Sequence, residues 1–349
     1  MRAAIFKEAG KIEIGERPDP AVVDPTDAVV RVVMACVCGS DLWYYRGDTD
    51  FPADSPIGHE FIGIVEQVGD DVTTVSVGDF VVSPFAYSDG TCPDCRAGMT
   101  TACARGGFIP DNGDGGQGEL VRVPLADGTL VTVPGSPADY SDDVLASLLA
   151  LSDVMGTGHH AAVSAEVDAG DTVAVVGDGA VGLCAIIAAK RLGAERIIAM
   201  SRHPSRQQLA LEFGATDIVD SRGDKAVEEV EKLTDGVGVD AALECVGTNE
   251  AMQTALKISR AGAIVGNVGL PHGVEIPAQG IFLRNVGVHG GPAPVRAYLP
   301  ELIADVLANR INPGKVFDYT TDLDGIAEAY AAMDQRRAIK SLIKVRDRT

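Results

Sequence analysis

The sequence predicts an α/β protein in which a β-rich domain is joined to a doubly wound parallel sheet. Three observations predict it. The first 150 residues break into short β segments punctuated by Gly, Pro and Asp. From about Asp171, apolar strand segments alternate with helical patterns. A Gly-x-Gly-x-x-Gly run stands at the first strand-to-helix junction of that second stretch. Alternation of strand and helix implies parallel strands with helices on both faces.

The β-rich part is carried by segments such as Ala28–Met34, Gly63–Val68 and Phe80–Ser83, with turns at Gly69-Asp70-Asp71 and Gly78-Asp79. Gly106–Gly118 reads as a surface loop. In the second part the expected strands are Thr172–Val176, Arg196–Met200, Asp217–Val219, Val239–Cys245, Ala263–Val268 and Val286–His289. Between them, Ala180–Leu192, Ser205–Phe213, Ala226–Leu233 and Asn249–Ser259 have helical periodicity. After Gly290-Gly291 come helices and a last apolar strand, Ser341–Val345. The expected boundaries are 1–153 plus 291–349 for the first domain and 154–290 for the second.

Composition narrows the functional classes. The 349 residues suffice for two domains with separate cores. With 29 basic against 50 acidic side chains the formal charge is −21, a field that repels nucleic acid and anionic membrane. No run of about 18 apolar residues suggests a membrane span, and the opening MRAAIFKEAGKIEI has no secretory pattern. Seven cysteines, three of them between Cys92 and Cys103, fit a reducing cytoplasm and metal thiolates better than a disulfide framework. Cys36, Cys184 and Cys245 fall inside apolar patterns and read as buried, inert thiols.

The glycine run is Gly177-Asp178-Gly179-Ala180-Val181-Gly182, entered from Val173–Val176. Its first glycine permits the turn, the second lets a pyrophosphate approach the backbone, and the third lets helix pack on strand. The following helix start offers free N–H groups and a positive dipole end. This is the fingerprint of a Rossmann dinucleotide site. The tip of the second strand selects the cofactor, because an acidic residue there binds the ribose diol and repels a 2′-phosphate. Here the tip reads Ser201-Arg202-His203, with Arg206 close behind. A hydroxyl and guanidinium groups suit a phosphate monoester, so the reading is NADP rather than NAD.

In the β-rich domain, Cys38-Gly39-Ser40-Asp41 and Gly58-His59-Glu60 offer a thiolate and an imidazole. With a third ligand they would make an open zinc site. Together with the cysteine cluster and the later glycine run, and with Gly-His-Glu-Phe-x-Gly-x-Val-x-x-Val-Gly over Gly58–Gly69, they stand in the order of the zinc-dependent medium-chain alcohol dehydrogenases. The sequence resembles that family over nearly its whole length, and its secondary-alcohol branch in particular. The resemblance implies a GroES-like catalytic domain around a Rossmann domain, with Cys38 and His59 as ligands of a catalytic zinc. In Leu151-Ser152-Asp153-Val154-Met155-Gly156-Thr157-Gly158 it implies Asp153 as third ligand, with Glu60 an adjacent carboxylate able to exchange onto the metal. It further implies that Ser40 relays the alcohol proton, that Thr157 lies beside the nicotinamide and that Lys340 contacts the pyrophosphate. Leu42, Trp43 and Tyr44 stand where relatives often carry a relay histidine, and Trp43 is expected to wall the substrate pocket. His159 and His160 read as structural.

The family's structural zinc loop carries four cysteines. Aligned on Cys92, Cys95 and Cys103, its first position falls on Asp89. A carboxylate can ligate zinc, so an Asp89-Cys92-Cys95-Cys103 site is expected. The expected activity is hydride transfer between NADP(H) and a small alcohol, ketone or aldehyde, in a homodimer or homotetramer. Two rivals are a polyol or sugar dehydrogenase of the same family and a non-catalytic NADPH-binding protein.

Overall fold

The computed structural model describes residues 1–110 and 114–347. Within the expected Gly106–Gly118 loop, 111–113 lie outside the described residues. The chain folds as two compact units, Met1–Asp153 with Pro294–Thr349, and Val154–Ala293.

The first unit is built on a seven-stranded sheet. Its central strand, Ala28–Cys36, pairs antiparallel with Phe61–Val68, with Leu120–Val123 and with the C-terminal strand Lys340–Lys344. Eight of the nine residues of that strand are buried, so it reads as a continuous apolar run rather than an alternating one. Two clusters fill the unit. One gathers Phe61, Val65, Val81 and Leu130 around the central strand. The other packs helix Ile326–Asp334, through Tyr330 and Met333, against Ala4, Phe6, Val37 and Ile343. Chain ends over 300 residues apart are thereby locked beside Cys36, which pairs with Leu342.

The second unit is a six-stranded sheet. Its strands lie in the order Asp217–Val219, Arg196–Met200, Thr172–Val176, Val239–Glu244, Ser259–Asn267, Gly287–Gly290, and every pairing is parallel. The chain order reverses between Thr172–Val176 and Val239–Glu244, the place where such sheets bind ligands. Val173, Ala174 and Val175 are fully buried, as a strand covered on both faces must be. Close approaches fix the helices. A Cβ on Gly158 would stand 2.5 Å from the backbone nitrogen of Ala185, so helix Val154–Ser164 lies directly on helix Ala180–Leu192. No helix among the described residues is long and apolar enough to cross a membrane.

Candidate active site

Cys38 follows the central strand, where the chain turns into the short helix Asp41–Arg46. His59 and Glu60 immediately precede strand Phe61–Val68, and Asp153 follows helix Asp142–Ala150. Gly58 makes the approach possible: its φ is +92°, and a Cβ there would sit 2.4 Å from the side chain of Gln117. One donor atom each from Cys38, His59, Glu60 and Asp153 lies within 4.8 Å of the others.

The spacing inside this cluster is informative. Cys38 Sγ is 3.4 Å from Asp153 Oδ2, and His59 Nε2 is 3.5 Å from the same oxygen. Ligands bound to zinc at about 2.0–2.3 Å in a tetrahedron stand roughly 3.3–3.7 Å apart. The His59–Asp153 separation is long for a charge-assisted hydrogen bond, and both separations match the edges of that tetrahedron. The donor set fits zinc chemically as well, with one thiolate, one imidazole and a carboxylate.

Electrostatics point the same way. Burial pushes the Cys38 thiol up to about 11, and Glu60 and Asp153 push in the same direction. Burial acts to lower the His59 imidazole, but Asp41 and Cys38 outweigh it and hold it well above its ordinary value. So many acidic groups in one buried place call for a cation, and a divalent ion would turn the thiol into a thiolate ligand.

A second layer holds the ligands. Asp41 Oδ2 accepts from the Cys38 backbone nitrogen at 3.0 Å and from Gln117 Nε2 at 3.2 Å. Its Oδ1 lies 3.3 Å from His59 Nδ1, the nitrogen facing away from the cluster. Gln117 is fixed in turn by the Tyr330 hydroxyl, which donates to its Oε1 at 2.9 Å. Such a carboxylate–imidazole contact sets ring orientation and tautomer. Asp41 is visible in the Cys-Gly-Ser-Asp run, whereas nothing local in the sequence marks Gln117 or Tyr330.

Glu60 is fully buried; its Oε1 accepts from Lys340 Nζ at 2.7 Å, and Cys36 Sγ lies 3.2 Å from its Oε2. Lys340 is 1% exposed and also donates to the Val37 carbonyl, so its ammonium answers a buried carboxylate and a backbone oxygen. The pyrophosphate contact implied by resemblance finds no support in those bonds. Cys36 is fully buried, as expected, and its thiol donates to the Glu60 carboxylate. Ser40 precedes helix Asp41–Arg46 without capping it, and its Oγ lies 3.5 Å from His59 Nε2. Its hydroxyl therefore faces the cluster.

Asp89, Cys92, Cys95 and Cys103 form a second group of donors within 4.8 Å of one another. Asp89 Oδ1 accepts from the backbone nitrogens of Thr91 and Cys92 at 2.7 and 2.8 Å, and Oδ2 accepts from Arg105 Nε at 2.9 Å. Those bonds, the backbone ones foremost, hold its carboxyl well below the usual carboxylate range. Burial pushes the Cys95 thiol up to about 12, with Cys92 and Cys103 adding to it.

In the second unit the glycine run does what its spacing requires. Gly177 has φ +122°, and a Cβ on Gly182 would stand 2.0 Å from the Gly177 carbonyl oxygen. Gly179 is exposed with open space at its Cβ position, at the start of the helix that Ala180 and Val181 begin. That open backbone at a helix N-terminus fits a pyrophosphate. Thr157, His159 and His160 are buried on helix Val154–Ser164. Ser201 Oγ donates to Asp178 Oδ2 at 2.8 Å, and Arg206 Nη1 lies 3.2 Å from Asp178 Oδ1. Arg202 is exposed. Nothing in the glycine pattern marks Asp178 for this contact.

Comparison with known proteins agrees with both halves. Residues 24–135 match the family described as alcohol dehydrogenase GroES-like domain, and residues 180–307 that described as zinc-binding dehydrogenase. A probable zinc-binding alcohol dehydrogenase of Mycobacterium tuberculosis is 35% identical over 342 residues, covering 96% of this chain and 86% of the relative. An NADP-dependent isopropanol dehydrogenase of Thermoanaerobacter brockii is 32% identical over 99% of this chain and 98% of its own length. The structure of alcohol dehydrogenase TADH from Thermus sp. ATN1 superposes with a TM-score of 0.91 at 33% identity, covering 99% of this chain and 100% of that one.

Proposed function

This chain belongs to the zinc-binding alcohol dehydrogenases, and on that premise we propose that it moves a hydride between NADP(H) and a small alcohol or the matching ketone or aldehyde. The carrying observation is the buried Cys38–His59–Asp153 cluster with tetrahedral-edge spacings. Those three side chains would hold zinc, with Glu60 able to join them and Asp41 orienting the imidazole. When bound, zinc supplies Lewis acidity to the substrate oxygen, and the nicotinamide takes or returns the hydride.

The Ser40 hydroxyl, beside His59 and not engaged as a helix cap, takes the alcohol proton on oxidation and releases its own outward. The alcohol thereby loses one hydride and one proton and becomes the carbonyl compound; reduction reverses both transfers. Lys340 balances the charge of Glu60. The Gly177–Gly182 turn would receive the pyrophosphate, Thr157 would border the nicotinamide, and Ser201, Arg202 and Arg206 would meet the 2′-phosphate. Asp89, Cys92, Cys95 and Cys103 would hold a second, structural zinc.

The protein works in the reducing cytoplasm as a homodimer or homotetramer. Phe282 and Leu283, 78% and 70% exposed on helix Ala278–Arg284, supply apolar surface for such an assembly.

The test is a panel of small alcohols, ketones and aldehydes assayed with NADP and NAD alongside metal analysis. Zinc-dependent turnover with NADP ahead of NAD is expected. Turnover that survives complete removal of metal contradicts the reading.

A further inference from the structure

We propose that Asp178 sets how strongly this chain separates NADP from NAD, because its carboxylate already occupies the hydroxyl and the guanidinium that an adenosine 2′-phosphate would use. The proposal rests on the NADP reading of this same pocket.

Parallel pairing of Val176 with Met200 brings the tips of the first two strands side by side. Asp178 leaves one tip and Ser201 stands on the other. Ser201 Oγ donates to Asp178 Oδ2 at 2.8 Å. Arg206 Nη1 reaches across from helix Pro204–Phe213 to Asp178 Oδ1 at 3.2 Å and to the Asp178 carbonyl at 3.3 Å. The side chains are only 13% exposed for Arg206 and 20% for Asp178, and Ser201 is buried. Gln207 Nε2 pins the strand tip by donating to the Ser201 carbonyl at 2.8 Å. The contact is thus a held arrangement, not a loose surface pair.

Dinucleotide sites that take the unphosphorylated cofactor place their acid at the tip of the second strand, on the ribose diol. Here that tip carries Ser201 and Arg202, and the acid comes from inside the glycine turn of the first strand. A carboxylate so placed can accept a ribose hydroxyl. A 2′-phosphate carries about −1.5 to −2 charges and seeks the same donors. To bind, it must share Ser201 or Arg206 with Asp178 and stand beside its carboxylate. Shielding by solvent is weak at such exposures. Arg202, exposed on the next position, supplies attraction without removing that repulsion. Discrimination in favour of NADP is therefore held below what the cationic side chains alone would give.

The decisive experiment measures Kd for NADPH and NADH by nicotinamide fluorescence in the wild type, Asp178→Asn and Asp178→Ala. Titrations with 2′,5′-ADP and ADP repeat the comparison without nicotinamide or hydride chemistry. Asp178→Asn keeps the size of the side chain and removes its charge, so the NADH-to-NADPH ratio of Kd should rise by about tenfold. Asp178→Ala should move the ratio in the same direction, and the ADP pair should follow. A ratio that stays within twofold of wild type, or falls, overturns the proposal: Asp178 would then only pre-position Ser201 and Arg206. The wild-type ratio tests the NADP reading separately. If the wild type prefers NADH while Asp178→Asn still moves the ratio toward NADPH, that reading fails and the role of Asp178 stands.

Discussion

Two clusters of thiol and carboxylate groups in the same unit behave differently. In Cys38–His59–Glu60–Asp153 the donors come from three separated stretches of chain and are oriented by buried partners, among them Asp41, Gln117 and Lys340. In Asp89–Cys92–Cys95–Cys103 all donors lie within one loop, and the carboxylate is held by its own backbone neighbours and Arg105. The first depends on the global fold and keeps a hydroxyl, Ser40, beside its imidazole. The second is local and organised by turns. Placement by distant elements suits chemistry, since each donor can be aimed independently. Placement within one loop suits stapling that loop.

The largest expected effect is on the first cluster. Cys38→Ser should lower kcat/KM by about 10³-fold or more, since the Lewis acid loses its thiolate. NADPH should still bind, as fluorescence titration will register; turnover within tenfold of wild type would collapse the contrast. Next is Asp41→Asn, which removes the carboxylate facing His59. Zinc affinity in chelator competition should drop by about 10- to 100-fold, with the loss confined to the more labile of two metals.

Asp89→Ala should act on stability before chemistry. It removes the acceptor of the exposed Thr91 and half-buried Cys92 nitrogens, which water can replace in part, and withdraws one metal donor. Thermal unfolding should shift down while turnover per folded chain stays within about twofold; a selective loss of turnover would make the second cluster part of the active site. The smallest effect is expected from Arg105→Gln. Its guanidinium is 64% exposed, and a surface pair of this kind is worth about 0.2–1 kcal/mol. A larger shift in denaturant midpoint would mean that Arg105 governs the Asp89 carboxylate more tightly than its exposure suggests.

Much of each unit is legible in the sequence: Phe80–Ser83 in the first runs as expected, whereas Ser259–Asn267 in the second starts four residues before its apolar signal. Strands Thr172–Val176, Arg196–Met200 and Asp217–Val219 run where the apolar segments place them, because parallel strands covered on both faces write continuous apolar runs. Strand Ala28–Cys36 extends two residues beyond its apolar signal, up to the doorstep of Cys38. Its pairing with Lys340–Lys344 joins residues with no local pattern in common, so the contact of Lys340 with Glu60 cannot be read from sequence. The motifs bring out Cys38 and His59, and the family resemblance adds Asp153, yet their supporting layer is hidden: Gln117 and Tyr330 meet across more than 200 residues of chain. Asp178 was overlooked for a related reason. A variable position in a glycine turn has no signature until strand register sets Ser201 beside it.

Stepwise metal removal probes the central claim most directly. Zinc per chain and turnover are followed together while a chelator is added to the wild-type protein. The account predicts two zinc ions per chain leaving in separate phases, turnover vanishing with the ion held by Cys38, His59 and Asp153 and returning when zinc is restored. Full turnover in a chain that retains no metal would contradict it.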